Sequence, residues 1–378
     1  MYIQRKLDLA TILSQRSCFL FGPRQTGKTS LIQNTLSVYR CYNLLRTDVY
    51  LKLSRTPERL RQEISQKERI VIIDEIQKLP ILLDEVHSLI EERHIHFLLT
   101  GSSARKLRQK GVNLLGGRAR TRRMHPFIFL ELKNDFQLVR ALDVGLIPSI
   151  YFSDSPYEDL EAYTGSYLKE EIAAEAMVRN VPAFSRFLTI AGLCNGQMIN
   201  YTKIANDAQV PRSTVQEYFQ ILRDTLLASD LPAWKQSRKR KPVSTSKFYF
   251  FDIGVARYLQ GRRGLSMRSP EFGEAFEAYI FHELSTYCDY RGGCDLSYWR
   301  STSGFEVDFI LNQDIAIEVK GKTIITEKDC SGLKALQEEA IFKWCILVSL
   351  EETPRKIGKI HILPWKDFLE RLYDDVYL

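Results

Sequence analysis

No apolar run in this sequence is long enough to cross a bilayer. The longest, such as Ile70 to Ile73 and Phe248 to Phe251, fall far short of the roughly 20 residues a spanning helix needs. The first residues, Met1 to Leu9, hold Arg5, Lys6 and Asp8 without an apolar stretch, so no secretory signal or membrane anchor is expected. Cysteine is sparse: seven in 378 residues, an odd count with no Cys-x-x-Cys spacing. That usage offers no zinc site and predicts small core thiols in a reducing cytoplasm. Low-complexity tracts and internal repeats are absent. A bulk excess of one charge is lacking too, since 53 Lys plus Arg against 46 Asp plus Glu leave only +7. The excess is local. Between Gly101 and His125 lie Arg105, Lys106, Arg108, Lys110, Arg118, Arg120, Arg122 and Arg123 with no acid among them, so the remainder of the chain is close to neutral.

What is present is ordinary globular material, 44% hydrophobic, 26% charged and 11% aromatic. The length predicts roughly two to three domains. Residues 1–149 alternate short apolar runs (Cys18 to Phe21, Ile70 to Ile73, Phe97 to Leu99) with longer amphipathic stretches, the pattern of an α/β fold with a parallel sheet and crossover helices. Residues 150–234 turn helical in period, as in Leu160, Tyr163, Tyr167 and Leu168 and again in Val215, Tyr218, Phe219 and Leu222. Residues 235–378 open with a basic cluster (Lys235, Arg238, Lys239, Arg240, Lys241) and continue as a strand at Phe248 to Phe251, a helix over Pro270 to Tyr287 and strands around Tyr298, Val307 and Ile317, a mixed α+β domain.

Gly22-Pro23-Arg24-Gln25-Thr26-Gly27-Lys28-Thr29 matches Gly-x-x-x-x-Gly-Lys-[Ser/Thr], follows an apolar strand and leads into a helix at Ser30. In such a loop the backbone amides cradle phosphate oxygens, Lys28 supplies a cation to the β and γ phosphates, and Thr29 offers its hydroxyl to Mg²⁺. The run Ile70 to Ile73 ends in Asp74-Glu75. A buried parallel strand with that ending puts Asp74 where it can hold Mg²⁺ and Glu75 where it can polarise an attacking water. A third strand, His96 to Leu99, ends in Thr100-Gly101-Ser102-Ser103. Thr100 and Ser102 are either γ-phosphate contacts or a hydroxyl-rich turn.

These three strand ends, in this order, resemble the AAA-type P-loop ATPases. Leu99 to Ser103, with Gly117-Arg118 and Pro126-Phe127, resembles a bacterial and archaeal branch near the signal-transduction ATPases. The resemblance covers about the first 150 residues. It implies binding of ATP with Mg²⁺, a sheet in which the strand ending at Thr100 separates the phosphate-loop strand from the Asp74-Glu75 strand, and self-association. For a self-associating ATPase, Arg118 is the candidate arginine finger, its planar fork suited to bridging phosphate oxygens. The plainer reading makes it part of a basic surface with Arg120, Arg122 and Arg123. Gly145-Leu146-Ile147-Pro148 resembles the Gly-x-Pro element that meets the base in the signal-transduction branch, or is a turn.

In the middle region, Asn200 to Ala205, Val210 to Val215 and Tyr218 to Leu222 read as helix, turn, helix, with Ser213 or Thr214 as cap of the second helix. That helix offers Arg212, Gln216, Glu217, Gln220 and Arg223, a mixed set with little net charge for phosphate. A winged-helix spacer or protein contact is therefore favoured over a sequence-specific DNA reader.

The segment Glu306 to Lys320 alternates as a hairpin about Gln313. Val307, Phe309, Leu311, Ile315, Ile317 and Val319 share one face, and Glu306, Asp308, Glu318 and Lys320 the other. The register sets Asp308 opposite Glu318 and Glu306 opposite Lys320. Two acids about 5 Å apart at Cβ either tolerate repulsion at a solvated edge or hold a divalent cation. Asp308 with Glu318-Val319-Lys320 resembles the Asp and Glu-x-Lys pair of restriction-endonuclease-like nucleases, which implies Mg²⁺ on Asp308 and Glu318 and a water oriented by Lys320. That family adds an acid from a preceding helix. Here a helix capped by Ser269 with Pro270 at its first position offers Glu277, with Glu274 and Glu283 as alternatives. The whole order of motifs, with Lys247 to Gly254 between them, resembles a family of prokaryotic ATPases with a C-terminal nuclease-like domain. Three functions are compatible: an ATPase governing cleavage of DNA or RNA, an ATP-driven assembly switch whose nuclease-like fold is a docking module, or a regulatory scaffold for protein partners.

Overall fold

The computed structural model describes residues 2–102, 105, 107, 115–167, 180–237, 239–339 and 342–377. Ser103, Lys106, Arg108, Lys110, Leu168 and Arg238 lie outside the described residues. Two compact units emerge. The first holds Met1–Phe127 and Asp224–Leu227, the second Ile128–Arg223 and Ala228–Leu378.

The first unit is built on five parallel strands, β1 (Ser17–Phe21), β2 (Arg40–Asn43), β3 (Ile70–Asp74), β4 (His96–Gly101) and β5 (Ala119–Arg123), in the order β2-β3-β4-β1-β5. As expected, β4 lies between β1 and β3, with Leu20 paired to Thr100 and Ile73 to Leu99. The short apolar runs are buried on both faces, as strands covered by crossover helices must be. Phe19, Phe21, Val71, Ile73, Phe97 and Leu99 form one core with Leu82, Val86 and Leu89 of the Leu82–Arg93 helix. The edge strands β2 and β5 are the exceptions, with Arg40 and Cys41 exposed on one and Arg120 and Arg123 on the other. Charge on an exposed edge discourages further strand pairing.

The second unit contains two sheets. β6 (Gln197–Met198), β7 (Ala228–Leu231) and β8 (Lys247–Phe250) form the smaller, in the order β6-β8-β7. It packs on helices Val181–Leu193, Tyr201–Ala208 and Arg212–Asp224 through aromatic contacts such as Phe219 with Phe248, 4.9 Å between ring centroids. The Arg212–Asp224 helix starts before Ser213 and Thr214, which lie in its first turn instead of at the cap position predicted for them. Arg223 is not presented to a ligand, since its guanidinium pairs with Asp230 at 2.8 Å.

The larger sheet has six strands, β9 (Leu296–Arg300), β10 (Glu306–Leu311), β11 (Ile315–Lys320), β12 (Trp344–Ser349), β13 (Arg355–Ile357) and β14 (Ile360–Pro364), ordered β13-β14-β12-β11-β10-β9. The hairpin register is as predicted, Phe309 pairing with Ile317 and Leu311 with Ile315. Its surroundings are not. β11 is paired on its other side with β12, and β10 with β9, so neither strand is a solvated edge. The β9–β10 register shifts between Val307 and Ile310, which brings Val307, Ile310 and Ala316 into one core with Leu333 and Leu336 of the Ser331–Gln337 helix. The simple two-face alternation therefore fails at Asp308.

The outer side of β9 is covered by the segment after β7: the Trp234 amide donates to Tyr298 O and the Val243 amide to Arg300 O. The basic cluster lies in this cover. Arg240 donates to Glu338 and Glu339, both at 2.8 Å. Burial would raise the Glu339 carboxyl, but the Lys239 amide, Arg240 and Ser237 outweigh it and hold it at about 2. Part of the cluster is thus structural.

The Phe272–Arg291 helix begins two residues later than Pro270, because the Phe272 amide donates to Ser269 O in a preceding turn. Its far end corrects the cysteine expectation. The chain reverses at Gly292-Gly293 and brings the Cα atoms of Cys288 and Cys294 to 5.0 Å, where the two are joined as a disulfide. Cys18, Cys330 and Cys345 are buried free thiols. Among the described residues no helix is long and apolar enough to cross a membrane.

Candidate functional site

In the first unit the strand ends β1, β3 and β4 converge. After Phe21 the loop from Gly22 to Gly27 enters the Lys28–Thr35 helix, with Gly27 at φ +97°, a conformation that L side chains rarely adopt. Gln25 also takes positive φ, and the Thr26 hydroxyl donates to Pro23 O at 2.8 Å. Lys28 is buried and its Nζ donates to Gly22 O at 2.6 Å and Pro23 O at 3.0 Å, closing the loop on its own lysine. Arg24, Gln25, Thr29 and Ser30 are exposed, whereas Gly22 and Pro23 are buried.

A chain of hydrogen bonds crosses the strand ends. Thr29 Oγ1 donates to Asp74 Oδ2 at 3.4 Å, Thr100 Oγ1 donates to Asp74 Oδ1, and the Glu75 amide donates to Thr100 Oγ1 at 3.2 Å. Thr100 is thus engaged with the carboxylate at the end of β3 and is not a loose turn residue. The buried Ser102 follows it. A hydroxyl and a carboxylate facing each other beside a phosphate loop are a donor set that fits Mg²⁺ bridged to nucleotide phosphates. Glu75 takes positive φ, and its carboxylate accepts from Gln77 Nε2. Arg118 pairs with Glu91 of the same unit, with both side chains substantially exposed.

Two residues here escaped the sequence reading. Gln77 holds Glu75, its only signal being a position two residues along. Arg5, 7% exposed, donates to Thr26 O at 2.7 Å, His125 O at 2.7 Å and Pro126 O at 3.1 Å, tying the phosphate loop to the segment after β5. Removing it takes a charged donor from three carbonyls. Arg5→Ala is expected to cost about 2–3 kcal/mol of stability and to weaken ATP binding, read as an earlier urea midpoint at unchanged slope and a raised Kd.

In the second unit Asp308 and Glu318 meet across β10 and β11, both 6% exposed. Beyond Phe309 the carboxylate takes over from the backbone ladder, and the Val319 amide donates to Asp308 Oδ2 at 2.8 Å. Lys320 Nζ donates to Glu318 Oε1, while Glu318 Oε2 is buried with no hydrogen-bond partner among the described residues. Burial pushes both carboxyls up. Glu318 reaches about 7, and Asp308 is driven well above its ordinary range by burial and then by the charges of Glu318 and Glu277.

Glu306 does not meet Lys320 as expected. Lys247 of β8 takes it at 2.7 Å, and Arg300 of β9 at 3.5 Å. Lys247 also pairs with Glu277 at 3.0 Å, and the Tyr249 hydroxyl donates to the same Glu277 oxygen at 2.8 Å. The alternatives to Glu277 lie elsewhere. Glu274 is exposed beside Arg262. Glu283 is buried where the Phe129 amide and the hydroxyls of Tyr279 and Tyr373 donate to it. Lys247 and Tyr249 were legible only as part of a motif without a role. Two residues apart on one strand, they reach the same carboxylate.

Asp252, in the same motif, grips the Gly145 element: Leu146 donates its amide to Asp252 Oδ2 at 2.7 Å and Val255 to Oδ1 at 3.1 Å. Gly145 sits at φ +82° against that carboxylate, and a Cβ there would lie 2.0 Å from Asp252 Oδ1. Burial raises the Asp252 carboxyl to about 6.

The orphaned Glu318 oxygen fits a cation held by Asp308 and Glu318. Among the described residues no group of three or more His, Cys, Asp or Glu side chains is disposed to hold a metal. Mg²⁺ suits such a site, because it keeps several waters and needs only one or two carboxylates.

Residues 14–133 match the AAA domain family, which agrees with the parallel sheet and phosphate loop of an AAA-type P-loop ATPase domain. Residues 135–266 match a domain of unknown function (DUF8612), and residues 272–368 another (DUF4143). An uncharacterized protein of Methanocaldococcus jannaschii is 24% identical, the match spanning 93% of this chain and 84% of that protein. Among solved structures, the ORC1 protein of Aeropyrum pernix in complex with DNA is 14% identical and matches 67% of this chain and 90% of its own at a TM-score of 0.26. A signal transduction ATPase with numerous domains and a tetratricopeptide repeat sensor, from Pyrococcus horikoshii, is 15% identical and matches 77% of this chain and 47% of its own at a TM-score of 0.24. At scores of this size, the domain assignment rests on the family match, sheet order and loop.

Proposed function

We propose that this chain is a Mg²⁺-dependent ATPase whose nucleotide state governs a phosphodiester-cleaving site on DNA or RNA. The observation that carries the ATPase half is the hydrogen-bonded series Thr29, Asp74, Thr100, Glu75 across three neighbouring strand ends. Thr29 and Asp74 would hold the metal, Lys28 and the loop amides the phosphates, and Glu75 would take the proton of the attacking water. Thr100 and Ser102 lie within the polar strand end that would face the γ-phosphate. Arg118 serves a neighbouring subunit's nucleotide on this reading, and leaving Glu91 costs it little because exposed ion pairs contribute at most about 1 kcal/mol.

For the second site, the buried and unpartnered Glu318 oxygen supports a bound cation. Asp308 and Glu318 would hold it, and it supplies a Lewis acid for phosphate and water. Lys320, fixed on Glu318, would orient or activate the water. The order helix, strand, two helices, two strands between Val181 and Phe250 supports a winged helix, read here as a spacer or protein contact. A cytoplasmic location fits an ATP-consuming chain.

A second reading makes the nuclease-like domain a docking module, favoured by Lys247 holding Glu277 and by the absence, among the described residues, of three carboxylates disposed to share a metal. Incubating the full chain with single- and double-stranded DNA and RNA, Mg²⁺ or Mn²⁺, with and without ATP, decides between them. Products that depend on Asp308 are expected, and their amount should change with ATP. No product with either metal in any nucleotide state would leave docking as the function.

A further inference from the structure

We propose that the ammonium of Lys247 stands where a second divalent cation would, so that the carboxylate cluster of β10 and β11 takes one metal ion and not two. The inference rests on the reading of Asp308 and Glu318 as cation ligands and concerns what the remaining acids do.

Four carboxylates gather in this part of the second unit, Glu277, Glu306, Asp308 and Glu318. Lys320 serves Glu318. Lys247 serves the two at the other end, 3.0 Å from Glu277 and 2.7 Å from Glu306. It is 5% exposed and rises from a strand whose every residue is buried. The ring of Tyr298 lies 5.3 Å from its Nζ, a cation–π contact on a further side. Burial would lower its pKa, but the charges of Glu277, Asp308 and Glu306 outweigh that and hold it protonated.

Two-metal phosphodiesterases place their ions about 3.5–4 Å apart and share carboxylates between them. Here the acids a second ion would need are spoken for. Glu277 Oε1 already accepts from both Lys247 Nζ and Tyr249 OH, and Glu306 Oε1 from Lys247. A lysine supplies one charge to this end permanently, whereas an ion would supply two reversibly. What is left for a metal is the Asp308 and Glu318 pair with the unpartnered Oε2.

The test counts ions on the nucleotide-free full chain. Mn²⁺ is titrated into the unaltered chain, Lys247→Met and Lys247→Arg, and the count lost on adding Asp308→Asn together with Glu277→Gln to each background isolates this cluster from the phosphate loop. One ion is expected in the unaltered chain and in Lys247→Arg, and two in Lys247→Met. One ion in Lys247→Met overturns the role of Lys247 while leaving the single cation site standing. No ion at this cluster in the unaltered chain overturns the cation reading itself, and Lys247 with it. Should Lys247→Met not fold, electron paramagnetic resonance of the unaltered chain at saturating Mn²⁺ gives an independent answer: an isolated-ion spectrum supports the proposal, and an Asp308-dependent spin-coupled pair overturns it.

Discussion

Glu75→Gln is expected to leave ATP binding within a few-fold of the unaltered chain and to slow hydrolysis about 10²–10⁴-fold, the usual loss when a general base is removed. The size follows from what the substitution keeps. Glu75 sits just past the end of β3 with its backbone at positive φ, and its amide donates to Thr100 Oγ1 at 3.2 Å. Glutamine alters neither, and its amide oxygen can still accept from Gln77 Nε2. Only the capacity to take a proton from water is lost. Lys28→Ala is the contrasting case. It removes the buried cation of the loop and the bonds by which Lys28 draws in Gly22 O and Pro23 O, so affinity itself should collapse. Turnover by coupled assay and binding by a fluorescent nucleotide separate the two effects. Unchanged turnover in Glu75→Gln would remove Glu75 as the base, and a parallel loss of binding would mean that the Asp74–Thr100 bond network, not proton transfer, had been damaged.

The phosphate loop was legible because all its chemistry lies within eight consecutive residues, and the strand ends because short apolar runs stop at polar groups. Sheet order came with the resemblance to the AAA-type ATPases. What escaped is long-range. Arg5 acts on carbonyls 21 and 120 residues away, and nothing local marks it as anything but an N-terminal surface charge. Lys247 likewise meets Glu277 from 30 residues off. The hairpin register was legible from its alternation, whereas the burial of Asp308 and Glu318 was not. Alternation implies one wet face, but β9 and β12 close the edges of the hairpin while the Ser331–Gln337 and Phe272–Arg291 helices pack on its strands, and nearly every residue of β10 and β11 is buried. The Cys288–Cys294 disulfide depends on the helix end reversing at Gly292-Gly293, which the spacing alone does not announce.

Asp308→Asn is expected to abolish any cleavage and, in the absence of metal, to make the second unit more stable. Both carboxyls of the pair have folded-state values above their ordinary ones, chiefly from burial, and Glu318 lies at about 7 against 4.5. For an acid so shifted, folding favours the protonated form. The unaltered chain in chelator should therefore be most stable below about 4.5 as far as this pair is concerned, and lose that contribution as pH rises toward about 7. Other carboxylates, such as Glu339, work in the opposite sense at lower pH, so the pair is read from the difference between variant and unaltered chain. That difference should grow in favour of Asp308→Asn from pH 5 to pH 8. A bound cation removes it: at one hundred times Kd, Mg²⁺ or Mn²⁺ contributes about 2.7 kcal/mol, which for a unit of this size raises Tm by roughly 5–10 °C. Asp308→Asn should forfeit most of that gain. Melting curves at pH 5 and pH 8, with chelator and with Mn²⁺, contain the whole test. A variant no more stable than the unaltered chain at pH 8 in chelator, together with an equal response to Mn²⁺, would mean that Asp308 and Glu318 share their buried position without sharing a metal.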